Sequence, residues 1–352
     1  MESLTPAEFA PTDTVYLNTA GSGRTPLRTV EALRATAEAM ATGGTMGGDY
    51  YDVADAARAA YARIVGVDAG RVAVGSTVAT HAALVAASLP AGAEVVIADG
   101  DFVSLVTPFA VRGDLVVRSV PLERIADAVG PATALVAVSA VQSADGRIAP
   151  LDELVAAAAA HGARTLIDGT QAVGWLPFDA GRYDYVVNGA FKWLMCPRGV
   201  SFLVVREDTL PPVHAGWASA REPYGDCYGP VRDFAASARR YDESPAYLPY
   251  AAAVSSLALV EELGPRAIGA HNAALADRFR AGAAGLGLTA ASAPGSAIVS
   301  LPGLGKYAEV LAAEGVRAAN RANGGLRASF HLYNSAQDVD RLLELLAVHV
   351  GS

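Results

Sequence analysis

From Arg71 to Val205 the chain repeats one pattern: a short apolar run, a turn, then an Ala-rich stretch. The apolar runs are Val72–Val74, Glu94–Ala98, Leu115–Val120, Ala134–Ser139, Thr165–Asp168, Tyr185–Asn188 and Ser201–Val205. Stretches such as Thr77–Leu89, Glu123–Val129 and Leu151–His161 fill the intervals as predicted helices. A strand with one wet face alternates apolar and polar residues, whereas a strand covered on both faces reads as nearly continuous apolar sequence. The pattern therefore predicts an α/β fold with a mostly parallel seven-stranded sheet sandwiched by helices. In such sheets ligands bind at the carboxyl ends of strands, and Ser76, Asp168 and Lys192 all stand at those ends.

The flanks read differently. Residues 1–30 form an irregular arm, with Pro26 suited to the first turn of a helix that continues through Val30, Leu33 and Ala37. Gly43, Gly44, Gly47 and Gly48 mark a loop, read as a dimer contact with a lid or simple disorder as the alternatives, before a second helix at about Asp52–Val65. An irregular connection rich in Pro and aromatic residues runs from Leu210 to Tyr247, and two helices follow, about Leu248–Leu263 and Pro265–Gly285. A small α/β unit closes the chain: Ile298–Leu301, a helix to Gly315, Leu326–Phe330, and a last helix from Ala336 to Val350. Ser335 and Asp338 have the spacing of a capping box for that last helix. The domain reading is an arm over 1–30, a large domain over 31–240 and a smaller C-terminal α/β domain over 241–352.

Composition narrows the function classes. The chain has 352 residues, is 52% hydrophobic and carries a formal charge of −9 without a sustained basic run, so nucleic acid is not the expected partner. No apolar stretch approaches the roughly 20 residues a membrane helix needs, and the first residues lack the basic and apolar regions of a signal peptide; a cytoplasmic protein is expected. Two cysteines, Cys196 and Cys227, are too few for a disulfide framework or a four-ligand zinc site, and no metal is expected.

The chemistry centres on Lys192, which an apolar strand delivers into a Gly/Ala-rich turn 24 residues after Asp168. A lysine in a dry pocket is pushed toward its neutral form, and a neutral amine forms a Schiff base with an aldehyde. A carboxylate at a strand end suits a pyridinium nitrogen. Ser76 and Thr77, opening a helix, read either as a simple N-cap or as a phosphate cradle. An amine for an aldehyde, an acid for a ring nitrogen and a helix end for a dianion together point to pyridoxal phosphate (PLP).

The segments that carry these residues resemble the class V aminotransferase-like family of fold-type I PLP enzymes, which includes cysteine desulfurases, kynureninases and related lyases. The resemblance runs through Tyr16-Leu17-Asn18-Thr19-Ala20-Gly21, Gly75-Ser76-Thr77, Asp168-Gly169-Thr170-Gln171-Ala172-Val173-Gly174, Phe191-Lys192-Trp193-Leu194 and Leu326-Arg327-Ala328-Ser329. It implies that Lys192 binds the cofactor aldehyde and shuttles the α-proton, that Asp168 keeps the ring nitrogen protonated, and that Gln171 bonds the phenolic oxygen. Ser76 and Thr77 would hold the phosphate, and Phe102 would stack on the ring where many relatives have His; its structural alternative is ordinary core. Arg327 would clamp the substrate α-carboxylate, helped by Ala20 and Gly21 of the arm. Ser244 lies near a family position that reaches the neighbouring subunit's phosphate, which implies a homodimer with shared active sites.

The departures shape the functional expectation. Gly189, Ala190 and Phe191 stand where relatives place phosphate-binding Ser and His, leaving Asn188 or a partner chain to compensate. Ala140 replaces an Asn near the ring, so that Gln142 or Ser143 faces the substrate. No cysteine occurs in Leu311–Gly325, where desulfurases carry their nucleophile, so a desulfurase is disfavoured. The expectation is a PLP enzyme acting on a small-molecule α-amino acid, foremost as a C–S β-lyase on a cysteine S-conjugate or sulfoxide. Transamination, racemisation or a natural-product step are the alternatives. Tyr50, Tyr51, Trp217, Tyr224 and Tyr228 are candidates for lining the substrate side chain or an interface.

Overall fold

A computed structural model describes residues 1–45, 49–206, 233–292, 294–321 and 323–350. Gly47, Gly48, Trp217, Tyr224, Cys227, Tyr228 and the side chain of Tyr50 lie outside the described residues. The chain begins with β1 (Val15–Tyr16), α1 (Leu27–Ala41) and α2 (Asp49–Val65). The repeat then gives β2 (Val72–Gly75), α3 (Val78–Ser88), β3 (Glu94–Ala98), α4 (Val103–Ala110) and β4 (Val116–Val120). It continues through β5 (Thr133–Ser139), α5 (Leu151–His161), β6 (Arg164–Asp168), β7 (Tyr185–Gly189) and β8 (Ser201–Val205).

These strands form one seven-stranded sheet in the order β2-β8-β7-β6-β5-β3-β4. It is parallel from β4 to β7, and only β8 runs against its neighbours. Alternate residues of each strand serve opposite faces. Ala73, Leu135, Leu166 and Val187 meet Val85, Leu105 and Phe109 of α3 and α4. Val74, Val136, Ile167 and Val186 meet Tyr61 of α2, Leu154 of α5 and Tyr250 of the next helix. Cover on both sides explains the near absence of polar alternation along the strands. One expected helix does not form: Glu123–Val129 begins with a single 3-10 turn, Leu122–Arg124. Between Pro121 and Gly130-Pro131 the segment is too short to offset the cost of nucleating a helix.

After the sheet come α6 (Tyr247–Leu263), α7 (Pro265–Gly285), β9 (Ile298–Leu301), α8 (Ala308–Ala313), β10 (Val316–Arg317), β11 (Ala319–Asn320), β12 (Leu326–Ser329) and α9 (Ala336–Val350). An antiparallel sheet β11-β12-β9 packs with α7 and α9 around Phe279, Val299, Phe330, Leu342 and Leu346. By contrast α6, which the sequence reading groups with this C-terminal unit, sends Tyr250, Leu257 and Val260 into the core of the large sheet. The capping box of α9 is present, with the Ser335 amide on Asp338 Oδ2 at 3.0 Å and the Asp338 amide reaching Ser335 Oγ at 3.4 Å.

The N-terminal arm ties the two units together. β1 pairs with β10, Leu17 enters the C-terminal core, and the Ala20 amide donates to Ser329 Oγ at 3.0 Å. Three residues later the Gly23 amide donates to the Phe191 carbonyl at 3.0 Å, beside Lys192. Gly23 is required there, because a Cβ would lie 2.1 Å from the Lys192 carbonyl oxygen. Among the described residues no helix is long and apolar enough to cross a membrane.

Candidate active site

The carboxyl ends of β2, β6 and β7, the start of α3 and the arm enclose a cavity of about 460 Å³. Lys192 reaches it from the turn after β7 and is only 6% exposed. That turn is firmly held. The Met195 amide returns to the Lys192 carbonyl at 3.2 Å, Cys196 to Ala190 at 3.1 Å, and His331 Nε2 meets the Trp193 carbonyl at 3.0 Å. Met195 takes a φ of 55°, a left-handed conformation that a non-glycine residue adopts only where its surroundings enforce it.

Burial sets the electrostatics. Desolvation pulls the Lys192 amine down to about 8, against the attraction of Asp168; the guanidiniums of Arg327, Arg321 and Arg198 push the same way as burial. Desolvation likewise raises the Asp168 carboxyl to about 6, opposed by its hydrogen bonds from Thr170 and by Lys192. The Thr170 amide donates to Asp168 Oδ1 at 2.8 Å. An amine and an acid are thus both brought toward neutrality on one cavity.

Of the residues expected at the site, Ala20, Gly21, Ser76, Thr77, Phe102, Asp168, Gln171 and Lys192 line the cavity. Lys192 Nζ lies 5.1 Å from the centroid of the Phe102 ring, which is 38% exposed and so is not ordinary core. Gln171 turns its amide nitrogen to Ala20 O at 3.0 Å and Ser143 Oγ at 2.9 Å, and its oxygen accepts from Trp193 Nε1 at 2.8 Å. Thr77 caps α3, accepting from the Thr80 amide at 3.1 Å. Ser76 is engaged otherwise: its amide and hydroxyl both donate to Glu243 Oε2, at 2.9 and 2.6 Å.

Arg327 lies just behind the wall, 1% exposed. Its guanidinium donates to the Ser143 carbonyl, to Ser143 Oγ at 3.2 Å and to Asn18 Oδ1 at 3.1 Å. Among the described residues it pairs with no carboxylate, and its Nε has no partner. Burial and the nearby Arg321 lower it to about 9.

Three expected residues lie elsewhere. Asn188 shares its strand face with Val186, so the pleat turns it away from the cavity toward Tyr61; the residue of β7 that lines the cavity is Gly189. Gln142 is drawn down to Asp101, which its amide meets at 3.2 Å, and Ser143 takes the lining position instead. Ser244 is exposed and outside this cavity. Sequence reasoning gave no role to Asp101, Glu243 or Arg321, and met Arg198 only within the Pro197-Arg198-Gly199 run that carries the family resemblance. Asp101 accepts from the Phe102 amide at 2.6 Å and the Ser139 amide at 2.8 Å, fixing the loop that presents Phe102. Its place three residues beyond β3, at the same sheet end as Asp168, was the available signal.

The donor set fits pyridoxal phosphate. Lys192 supplies a depressed amine for the aldehyde, Asp168 a carboxyl for the ring nitrogen, Phe102 a flat face, and the start of α3 free amides and a dipole for the phosphate. Among the described residues Glu243, bonded to Ser76, opposes the phosphate.

The aminotransferase class-V family model matches residues 15–293. Isopenicillin N epimerase of Streptomyces clavuligerus is 33% identical over 259 residues, 64% of this chain and 63% of that protein, so the match spans slightly less than two thirds of the relative. The uncharacterized aminotransferase YcbU of Bacillus subtilis strain 168 is 27% identical over 311 residues, 83% and 82% of the two chains. Among solved structures, the cystine C–S lyase C-DES in complex with its product cysteine persulfide has a TM-score of 0.85 at 23% identity, covering 95% of this chain and 97% of that one.

Proposed function

The chain belongs to the aminotransferase class-V family of pyridoxal phosphate-dependent enzymes, and on that premise we propose that it is a C–S β-lyase acting on a cysteine S-conjugate or sulfoxide. The observation that carries this reading is a cavity with a lysine whose pKa burial lowers to about 8 and, among the described residues, no thiol. Among the described residues no cysteine lines it, and the Cys196 thiol is buried elsewhere and pushed well above its ordinary range by desolvation. Elimination needs a base at Cα and no enzyme nucleophile for sulfur, whereas transfer of sulfur onto the enzyme as a persulfide needs an enzyme thiolate.

When bound, the cofactor supplies an aldehyde for the amine and a ring that withdraws electrons from Cα. Arg327 binds the α-carboxylate bidentately, in place of the neutral oxygens it now holds. Lys192 takes the proton from Cα and returns it to the departing sulfur. Asp168 keeps a proton at the ring nitrogen, and the enclosing walls limit water. We also place the enzyme in the cytoplasm as a homodimer, with exposed Ser244 turned to the partner's phosphate.

A second reading, epimerisation, is supported by the 33% identity to an enzyme of that name; Lys192 would then serve one face of Cα, and the proton would have to be delivered to the opposite face. One experiment separates the two. The PLP-loaded protein is incubated in D2O with cysteine S-conjugates and their sulfoxides, and with the enantiomers of their non-sulfur analogues. Pyruvate release that disappears in Lys192→Ala is expected of the lyase. Inversion with α-deuterium and no pyruvate would replace it by the epimerase, and product formation only with an added oxo acid by an aminotransferase.

A further inference from the structure

Four basic side chains gather at this cavity: Lys192, Arg198 and Arg321 line it, and Arg327 lies directly behind. An amino acid bound as proposed above accounts for two of them, Lys192 through the cofactor and Arg327 through the α-carboxylate. Arg198 and Arg321 are left over. Neither forms an ion pair with a carboxylate among the described residues. The Arg198 guanidinium is held over the Phe191 ring, 4.1 Å from its centroid. Arg321 is fixed by its backbone, its amide donating to the Gly325 carbonyl at 2.9 Å and its carbonyl accepting from Gly324 at 2.8 Å, while its Nε is buried without a partner.

Arg198 is exposed and Arg321 half-buried, so water screens both charges, and the cost falls on the Arg321 Nε, a buried donor with no partner among the described residues that an anion would complete. Guanidiniums also present in-plane donors matched to a carboxylate or sulfur oxyacid. The cofactor phosphate has its own place at the start of α3, and the acids nearest the cavity are committed, Glu243 to Ser76 and Asp168 to Thr170.

We infer that Arg198 and Arg321 form a second anion subsite and that the natural substrate carries an acidic group on its side chain as well as its α-carboxylate. This rests on the amino-acid reading of the cavity but not on whether the outcome is elimination or epimerisation. Arg321 stands on the β11–β12 turn, within the cysteine-free stretch Leu311–Gly325.

The test compares S-(2-carboxyethyl)cysteine with S-propylcysteine, nearly the same size but without the distal acid. Dissociation constants are measured calorimetrically on PLP-loaded Lys192→Ala, which does not turn over, and kcat/KM on the wild-type holoenzyme. A tenfold to hundredfold preference for the acid-bearing ligand is expected. It should collapse in Arg321→Gln and in Arg198→Gln and return in part in Arg321→Lys. Equal affinity for the two ligands in Lys192→Ala, with equal kcat/KM in the wild type, would overturn the inference alone. Binding of neither ligand would overturn the amino-acid reading and this inference with it. A preference that survives both substitutions, with PLP dissociating tenfold more readily instead, would assign the arginines to the cofactor phosphate and overturn it as well.

Discussion

Lys192 and Asp168 are moved toward neutrality by one cause, loss of water, and each partly offsets the other. Lys192→Ala should therefore cost about 10²–10⁴ in turnover and let PLP be removed by dialysis, which absorbance of the dialysed protein reports. Asp168→Asn should lower kcat by a similar factor with little change in KM, because it affects the ring nitrogen and not substrate binding. Glu243 poses a different question, since its carboxylate bonds Ser76 at the helix end suited to a phosphate dianion. Glu243→Gln should tighten PLP severalfold and leave pyridoxal, which lacks the phosphate, unaffected. Equilibrium dialysis with both compounds checks this, and equal effects on the two would refute it. Lys192 and Asp168 were legible because strand ends and turn composition mark them, and Phe102 because the family resemblance places a ring there. Asn188 was offered on the resemblance as a substitute phosphate donor, without regard to the pleat, which puts it in phase with Val186. Glu243 and Arg321 left no signal, for each acts through a partner far away in sequence.

At the scale of elements, the alternation of buried strands and helices was enough to give the sheet, since a strand covered on both faces has few other arrangements. The contacts that bring the arm and the segment before α6 to the site were not legible, because they rest on single residues. Asp242 is one: it accepts from the Val74 amide at 2.9 Å and from Arg58 at 3.1 and 2.7 Å, all buried. It thereby fixes the neighbouring Glu243 against β2 and α3. Asp242→Ala would strand the Arg58 charge and should destabilise the fold by about 3–5 kcal/mol, seen as a lower urea midpoint. Gly23 is another. Its missing Cβ allows the arm to lie on the Lys192 carbonyl, and backbone at 2.1 Å cannot yield by side-chain rotation. Gly23→Ala should lower kcat at least tenfold while the far-UV spectrum of the large domain stays unchanged.

For the whole molecule, buried titratable groups set how stability follows pH in the PLP-free protein. Desolvation holds His331 down to about 3 and His81 to about 4, and also lowers His271. A histidine whose folded pKa lies below its unfolded value contributes stability above about pH 6.5, and that stability is lost as pH falls toward the folded pKa. For His81 the change from 6.5 to about 4 corresponds to roughly 3 kcal/mol. Asp168 acts in the opposite sense. Raised from 3.8 to about 6, it favours the fold fully below 3.8 and less as pH climbs through 6. Lys192, lowered from 10.5 to about 8, makes the fold more stable as pH rises across that interval. Thermal midpoints of the apoprotein should therefore fall from pH 6.5 to 4 and rise from pH 8 to 10. His81→Leu should flatten the acid limb, since both its ring nitrogens are buried without a hydrogen-bond partner among the described residues. Asp168→Asn should make that limb steeper by removing a group that opposes it, as the raised carboxyl of Asp242 also does. Lys192→Met should remove the part of the rise that begins near pH 8, and so should saturation with PLP, which engages the same amine; the lowered Arg327 leaves a rise above about pH 9. An acid limb unchanged by Asp168→Asn would mean that Asp168 is ionised in the folded apoprotein well below pH 6, and the neutral-acid floor of the site would then be wrong.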